Sequence, residues 1–142
     1  MTDMITTWVH EAYWRDDVNC ATAMLSVLGR VHDVAIASQV MAAATGMHGA
    51  GGSGAQCGLV EGGLMFIGLW GRERGRPDAW TVEACRGYAV AFTDRFGSLD
   101  CRVLRPQGFA PEQPPHLCEG LSVAAVRWAV DWTRDYFSAA RI

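Results

Sequence analysis

Five cysteines carry the most chemistry in this chain of 142 residues: Cys20, Cys57, Cys85, Cys101 and Cys118. An odd number suits a disulfide framework badly, and in a reducing compartment thiols bind metal, do redox chemistry or pack as small apolar groups. Four of them, Cys20, Cys57, Cys101 and Cys118, fall at or within about two turns of a predicted helix start. Peptide dipoles at such an end carry about half a positive charge, and free N–H groups there can donate to sulfur. Both effects favour the thiolate, which is the nucleophile and the metal ligand. Four thiolates are the number taken by a soft metal or an iron–sulfur cluster. The four lie 37, 44 and 17 residues apart and form no CxxC pair, so spacing alone identifies neither a zinc ribbon nor a ferredoxin loop. A lone cysteine on a helix is commonly a small core residue, and that reading stands beside the other. Cys85, next to Arg86 in an apolar-rich helix, reads as structural.

The second cysteine sits inside "GMHGAGGSGAQCGLVEGGLMFIGLWG", Gly46 to Gly71. Glycine between Gly46 and Gly54, including Gly52 and Gly54, lets the backbone turn tightly and bring bare N–H groups close to sulfur or a ligand. Gly58, Gly62 and Gly63 thin one face of the following helix, so that another helix or a cluster can approach Cys57. "GAGGSG" matches GxGxxG only superficially, and no strand precedes it, so no nucleotide is expected. His48 in the loop and His116, two residues before Cys118, are ligand, proton carrier or surface candidates. Glu61, one turn after Cys57, is a proton acceptor, a partner for an arginine, or a first-turn acid on the helix dipole. Asp100 and Arg102 bracket Cys101, where Arg102 either favours the thiolate or points to water.

The elements that position these residues read almost entirely with helical period. Met4, Ile5, Trp8, Val9 and Ala12 share one face of a first helix ending near Asp16 or Asp17. "DVNCATAMLSVLGR" follows, with Asp17 or Asn19 to cap it and Gly29 to stop it. "DVAIASQVMAAATG" starts a third helix at Asp33, and the glycine loop leads into a fourth beside Cys57 that runs to about Trp70. Pro77 and Asp78 open a fifth over "DAWTVEACRGYAVAFTDRF". Ser98 can cap a helical turn containing Cys101, and "RPQGFAPEQPP" reads as a surface connection. A last helix covers about His116 to Ala140 with the stripe Leu121, Ala124, Ala125, Trp128, Ala129, Trp132 and Tyr136. No strand run or internal repeat appears. The expectation is one all-α domain over residues 1–142, a bundle of five to six helices with the glycine-rich loop before the fourth.

Composition narrows the function classes. Half of the residues are hydrophobic and six are tryptophan, which excludes disorder. The tryptophans, at positions 8, 14, 70, 80, 128 and 132, suit a core or a dimer interface better than a cofactor cage. The net charge of −3 argues against nucleic acid or an acidic membrane as partner. All twelve basic residues are arginine, so no Schiff-base or P-loop lysine exists. The N-terminal stretch lacks a signal-peptide pattern, and the longest apolar run, Leu59 to Trp70, is too short to span a bilayer. A soluble cytoplasmic protein, without membrane insertion and forming a homodimer, is the expectation.

The chain resembles the bacterial family named for its C_GCAxxG_C_C cysteine pattern. "NCATAMLSVLG" matches the first-cysteine segment, Cys57-Gly58-Leu59-Val60-Glu61-Gly62 the second, "DRFGSLDCRVL" the third and "HLCEGL" the fourth. Leu59 departs from the family's usual alanine, and Cys85 matches no family position. The resemblance implies a redox role for Cys20, Cys57, Cys101 and Cys118. The domain is also similar to the part of split-Soret cytochromes outside their haem-attachment motifs, which implies an iron–sulfur centre on the same four residues. No CxxCH is present, so covalent c-type haem is not expected. Three readings follow. The first is an iron–sulfur or soft-metal protein serving electron transfer to an unidentified redox partner. In the second, an oxidoreductase or sensor uses the thiols directly, with Cys57 attacking and another cysteine resolving. The third is a helical dimerisation module without redox chemistry.

Overall fold

The computed structural model describes residues 2–105, 110 and 112–139, omitting the side chains of Thr2 and Asp3. Among the described residues there are eight α-helices, one 3-10 helix and no strand. They are α1 (Thr2–Trp14), α2 (Cys20–His32), α3 (Ser38–Ala43), α4 (Gly49–Gly52), α5 (Gly58–Glu73), α6 (Asp78–Phe96), α7 (Cys101–Leu104), the 3-10 turn Pro115–Cys118 and α8 (Glu119–Ala139). The all-α architecture is as expected, but the helix count is higher. The glycine loop itself contains one turn, α4, in which Ala50 and Gly51 depart from helical geometry. The long helix after Cys57 is therefore the fifth in order.

Two boundaries differ from the sequence reading for identifiable reasons. Gly29 does not stop α2. It is buried there, and a Cβ on it would lie 2.7 Å from Ile36 Cγ1 and 2.9 Å from the Val34 carbonyl. Its bareness lets the chain fold back against the helix it has just left. Asp33, expected to open the third helix, instead closes the second in the left-handed region at φ 57°, while the Val34 N–H bonds to the Gly29 carbonyl at 2.9 Å. Helix α3 accordingly begins only at Ser38. The fifth expected helix holds as read, from Asp78 behind Pro77 to Phe96, where Gly97 at φ 94° ends it. Five of the eleven residues of the proline-rich connection, 106–109 and 111, lie outside the described residues, as does Ala140.

Helices α2 and α5 form the centre, with α1 and α8 packed on α2 and with α6 on α5. Their shared face is the core: Ile5, Val9, Met24, Leu25, Leu28, Leu59, Val60, Phe66 and Ile67 are buried in it. Close approach at this crossing depends on glycine. A Cβ on Gly62 would meet the Ala21 carbonyl at 2.3 Å, and one on Gly63 the Tyr88 ring at 2.3 Å. On α8 the fully enclosed stripe is Ser122, Ala125, Val126, Ala129, Val130, Thr133 and Phe137. The tryptophans of the expected stripe, Trp128 and Trp132, flank it and pack edge-on against Tyr88 and Phe92 of α6. At the other end Trp70 stacks between Phe137 at 4.1 Å and His32 at 4.4 Å. Trp14 is 55% exposed. Among the described residues no helix is long and apolar enough to cross a membrane.

Candidate functional site

The four cysteines at helix starts converge on one cavity. Cys20 is the first residue of α2, Cys57 is the N-cap of α5, Cys101 is the first residue of α7, and Cys118 ends the 3-10 turn that runs into α8. All four line a cavity of about 230 Å³, together with Asn19, His48, Gly52, Leu59, Leu104, Arg105, Gln113 and Leu121. Cys85 is elsewhere: its thiol points to the Leu64 carbonyl at 3.8 Å between α5 and α6, and burial pushes it up from the ordinary thiol range. No tryptophan is among the lining residues.

Backbone pairing explains how two of the sulfurs are brought together. The Cys57 N–H bonds to the Leu99 carbonyl at 2.7 Å, the Cys101 N–H to the Ala55 carbonyl at 2.7 Å, and the Arg102 N–H to the Gly54 carbonyl at 3.1 Å. Gln56 and Asp100 form an isolated antiparallel bridge at the centre of this contact. Gly54 takes φ 87° there, and a Cβ on it would strike the Arg102 guanidinium, which donates to the Ser53 carbonyl at 2.8 Å. Arg102 thus ties the glycine loop to α7. The loop returns close to the third sulfur: a Cβ on Gly49 would be 3.4 Å from Cys101 Sγ.

Cys20 and Cys57 meet across the α2–α5 crossing. The Cys20 thiol donates a hydrogen bond to the Cys57 sulfur, and this holds Cys57 below the usual thiol range. Burial opposes that shift, while the Leu59 and Val60 N–H groups and Arg105 reinforce it. The same bond, with burial and the neighbouring cysteines, holds Cys20 well above the range. Cys118 is raised by burial, against the pull of Arg105. The pair is therefore unequal, Cys57 being shifted toward the thiolate and Cys20 toward the thiol.

The amides that serve the Cys57 sulfur are those of Leu59 and Val60 in the first turn of α5. In the loop the Gly51, Gly52, Ser53 and Ala55 N–H groups are consumed by the carbonyls of Gly46, His48 and Gly49. Its glycines supply bends and close approach instead.

The remaining candidates sort by contact. His48 lines the cavity, with Nδ1 at 3.1 Å from Asn19 Nδ2. Asn19 Oδ1 accepts from the Thr22 N–H and hydroxyl, so its Nδ2 is the donor, toward the Thr45 carbonyl at 2.7 Å and toward His48. His48 Nδ1 consequently accepts, which leaves the proton of the neutral ring on Nε2. His116 stacks on Trp14 with ring centroids 4.2 Å apart and does not line the cavity. Glu61 accepts a hydrogen bond from Gln56 Nε2, beside the bridge and not on an arginine. Leu59, the departure from the family pattern, is fully buried, and its carbonyl takes the Tyr88 hydroxyl at 2.9 Å.

Sequence reasoning missed two residues. Arg105, not Arg102, is the guanidinium facing the cavity. Tyr13, buried on α1, shares a 2.6 Å hydrogen bond with Ser122, and burial pushes its hydroxyl well above its ordinary range. The position of Arg105, one turn beyond Cys101, was the available signal for it.

Among the described residues no three His, Cys, Asp or Glu side chains gather closely enough to hold one metal ion. Four thiolates around a single zinc at about 2.3 Å would lie about 3.8 Å apart. The four sulfurs share a cavity without meeting at such a point.

An all-α domain with four helix-start cysteines around one small cavity defines a class of cysteine-based module. The chain belongs to the C_GCAxxG_C_C family, described as "putative redox-active protein", whose model matches residues 18–132. No curated protein and no solved structure matches it.

Proposed function

We propose that this domain is a redox module whose cavity holds an iron–sulfur cluster on Cys20, Cys57, Cys101 and Cys118. The observation that carries this reading is the convergence of these four thiols on one cavity, while Cys85 points elsewhere. The donor set fits such a group. Thiolates are its protein ligands, and in a [4Fe–4S] cluster each binds a different iron, so they need not meet around one ion. The cavity is smaller than the roughly 300–1,000 Å³ of pockets for organic ligands, which suits a compact inorganic group. When bound, the cluster would supply one-electron transfer. The chain's own part is to present sulfurs from four helix starts, to stabilise the Cys57 thiolate with two backbone N–H groups, and to wall the site with Leu59, Leu104 and Leu121.

Anaerobic purification followed by an absorption spectrum and iron and acid-labile sulfide analysis tests this. Iron and sulfide present in wild type and in Cys85→Ala, and lost in alanine variants of the other four, is the expected result. Colourless protein without either would overturn it.

A second reading is favoured by one juxtaposition, Cys20 Sγ packed against Gly58, the neighbour of Cys57. In it Cys20 and Cys57 form a disulfide, releasing two protons and giving two electrons to an acceptor such as glutathione disulfide. Mass analysis after incubation with that oxidant would detect the loss of two hydrogens on this pair.

A further inference from the structure

We propose that Arg105 sets the charge balance of the cysteine cavity: its guanidinium, oriented by Gln113, supplies the positive charge that makes the more negative, reduced state of the site attainable. This deepens the redox reading of the site and rests on it. Arg105 acts through its field on the sulfurs, as a positioning residue.

Three observations support this role. First, the residue is fixed to the site: its N–H bonds to the Cys101 carbonyl at 3.0 Å, closing the turn that begins with that cysteine. Second, Nη1 donates to Gln113 Oε1 at 2.8 Å, and both residues line the cavity. An amide oxygen orients a guanidinium without cancelling its charge, whereas a carboxylate would do both. Third, among the described lining residues there is no carboxylate, and Leu59, Leu104 and Leu121 form apolar wall, so the field is weakly screened. Arg105 lines the same cavity as all four sulfurs, so its field acts on the site as a whole. Arg102, the nearer arginine in sequence, is committed to the Ser53 carbonyl.

The physical consequence has one sign for either form of the site. Adding an electron to a group held by four thiolates increases its negative charge. Reducing a Cys20–Cys57 disulfide with two electrons breaks the S–S bond and gives two thiolates, so before proton uptake the reduced side is again the more negative. A fixed cation favours the reduced side of both couples and raises the potential.

The experiment compares full-length wild type with Arg105→Gln, Arg105→Lys and Gln113→Glu by anaerobic redox titration followed spectroscopically. Iron content and circular dichroism are measured on each. R105K should hold the wild-type midpoint. R105Q should move it negative by at least the equivalent of a tenfold change in the reduced-to-oxidised ratio, about 59 mV for one electron. Q113E, which places a carboxylate against an intact Arg105, should move it the same way and stands in for R105Q if that variant fails to fold. Folded, iron-replete R105Q or Q113E with an unchanged midpoint would overturn the proposal. Iron-free protein defeats the cluster reading alone. In that case the same variants are equilibrated with reduced and oxidised glutathione, the dithiol passing two hydrogens to glutathione disulfide and yielding two glutathiones. A tenfold shift toward the Cys20–Cys57 disulfide in R105Q and Q113E supports the role of Arg105, and equal ratios in all four proteins refute it.

Discussion

A Cβ on Gly58 would lie 2.3 Å from Cys20 Sγ and 2.8 Å from the Ala21 N, so these two cysteine-bearing helices meet where one of them has no side chain. The crossing that builds the core is also what sets Cys20 against Cys57. Stability and site geometry are joined at that glycine.

Gly58→Ala should therefore cost about 1–3 kcal/mol, because the contact is partly with backbone and one helix must shift. Gly68, on the same helix with nothing within 4 Å of a would-be Cβ, is the control. Gly68→Ala should gain roughly 0.5–1 kcal/mol from backbone entropy. Urea denaturation of both variants measures the contrast, and equal effects would contradict the packing described.

Cys20→Ala removes the thiol that donates to Cys57. In metal-free, reduced protein the apparent pKa of Cys57 should rise, and its alkylation by iodoacetamide at neutral pH should slow. Peptide-mapped rates against pH give the measurement, with Cys85, whose thiol is held up by burial, as an internal reference. An unchanged Cys57 profile would mean that the hydrogen bond does not hold its thiolate.

Asn19 caps α2 through Oδ1 and ties down residues 44–48 through Nδ2. Serine caps about as well as asparagine but cannot reach the Thr45 carbonyl. Asn19→Ser should thus report the loop tie alone, and Asn19→Ala should lose about 1 kcal/mol more. Thermal melts of the two side by side separate the contributions.

His32 is stacked on Trp70 and Phe66, with Nε2 at 3.0 Å from Thr133 Oγ1. Burial, then Arg134 and Arg74, lowers its pKa from 6.5 to about 4. The folded state therefore binds its proton less readily than the unfolded chain does. Stability from this group is complete above about pH 6.5 and falls as the pH drops toward 4. Wild type should show a lower urea midpoint at pH 5 than at pH 7.5, and His32→Gln should flatten that difference.

The helices and the cysteine set were legible because both are local signals: period, caps, and the positions of four residues relative to helix starts. Pro77–Asp78 and Gly97 bounded α6 without tertiary help. Asp33 and Gly29 misled because their local preferences are overruled by the return of Val34 and Ile36 onto α2. The roles of Arg102 and Arg105 could not be separated by sequence, since both lie within a turn of Cys101 and only the folded chain decides which faces the cavity. The glycine loop was read correctly as a device for close approach. Four of its amides, those of Gly51, Gly52, Ser53 and Ala55, bond to its own carbonyls, a matter of pairing that composition does not encode.

The bridge between residues 54–57 and 99–102 also sets an order of events on the ribosome. Cys20 leaves the exit tunnel 98 residues before Cys118. At roughly 5–20 residues per second that interval is about 5–20 s. For most of it the early thiols lack the bridge and Arg105, and throughout it they lack Cys118 and the last helix. The four-cysteine cavity is complete only when the final third of the domain has been made and folded back. A chain truncated before α7 would therefore carry the same early sulfurs without the cavity that α7 and the 3-10 turn close around them.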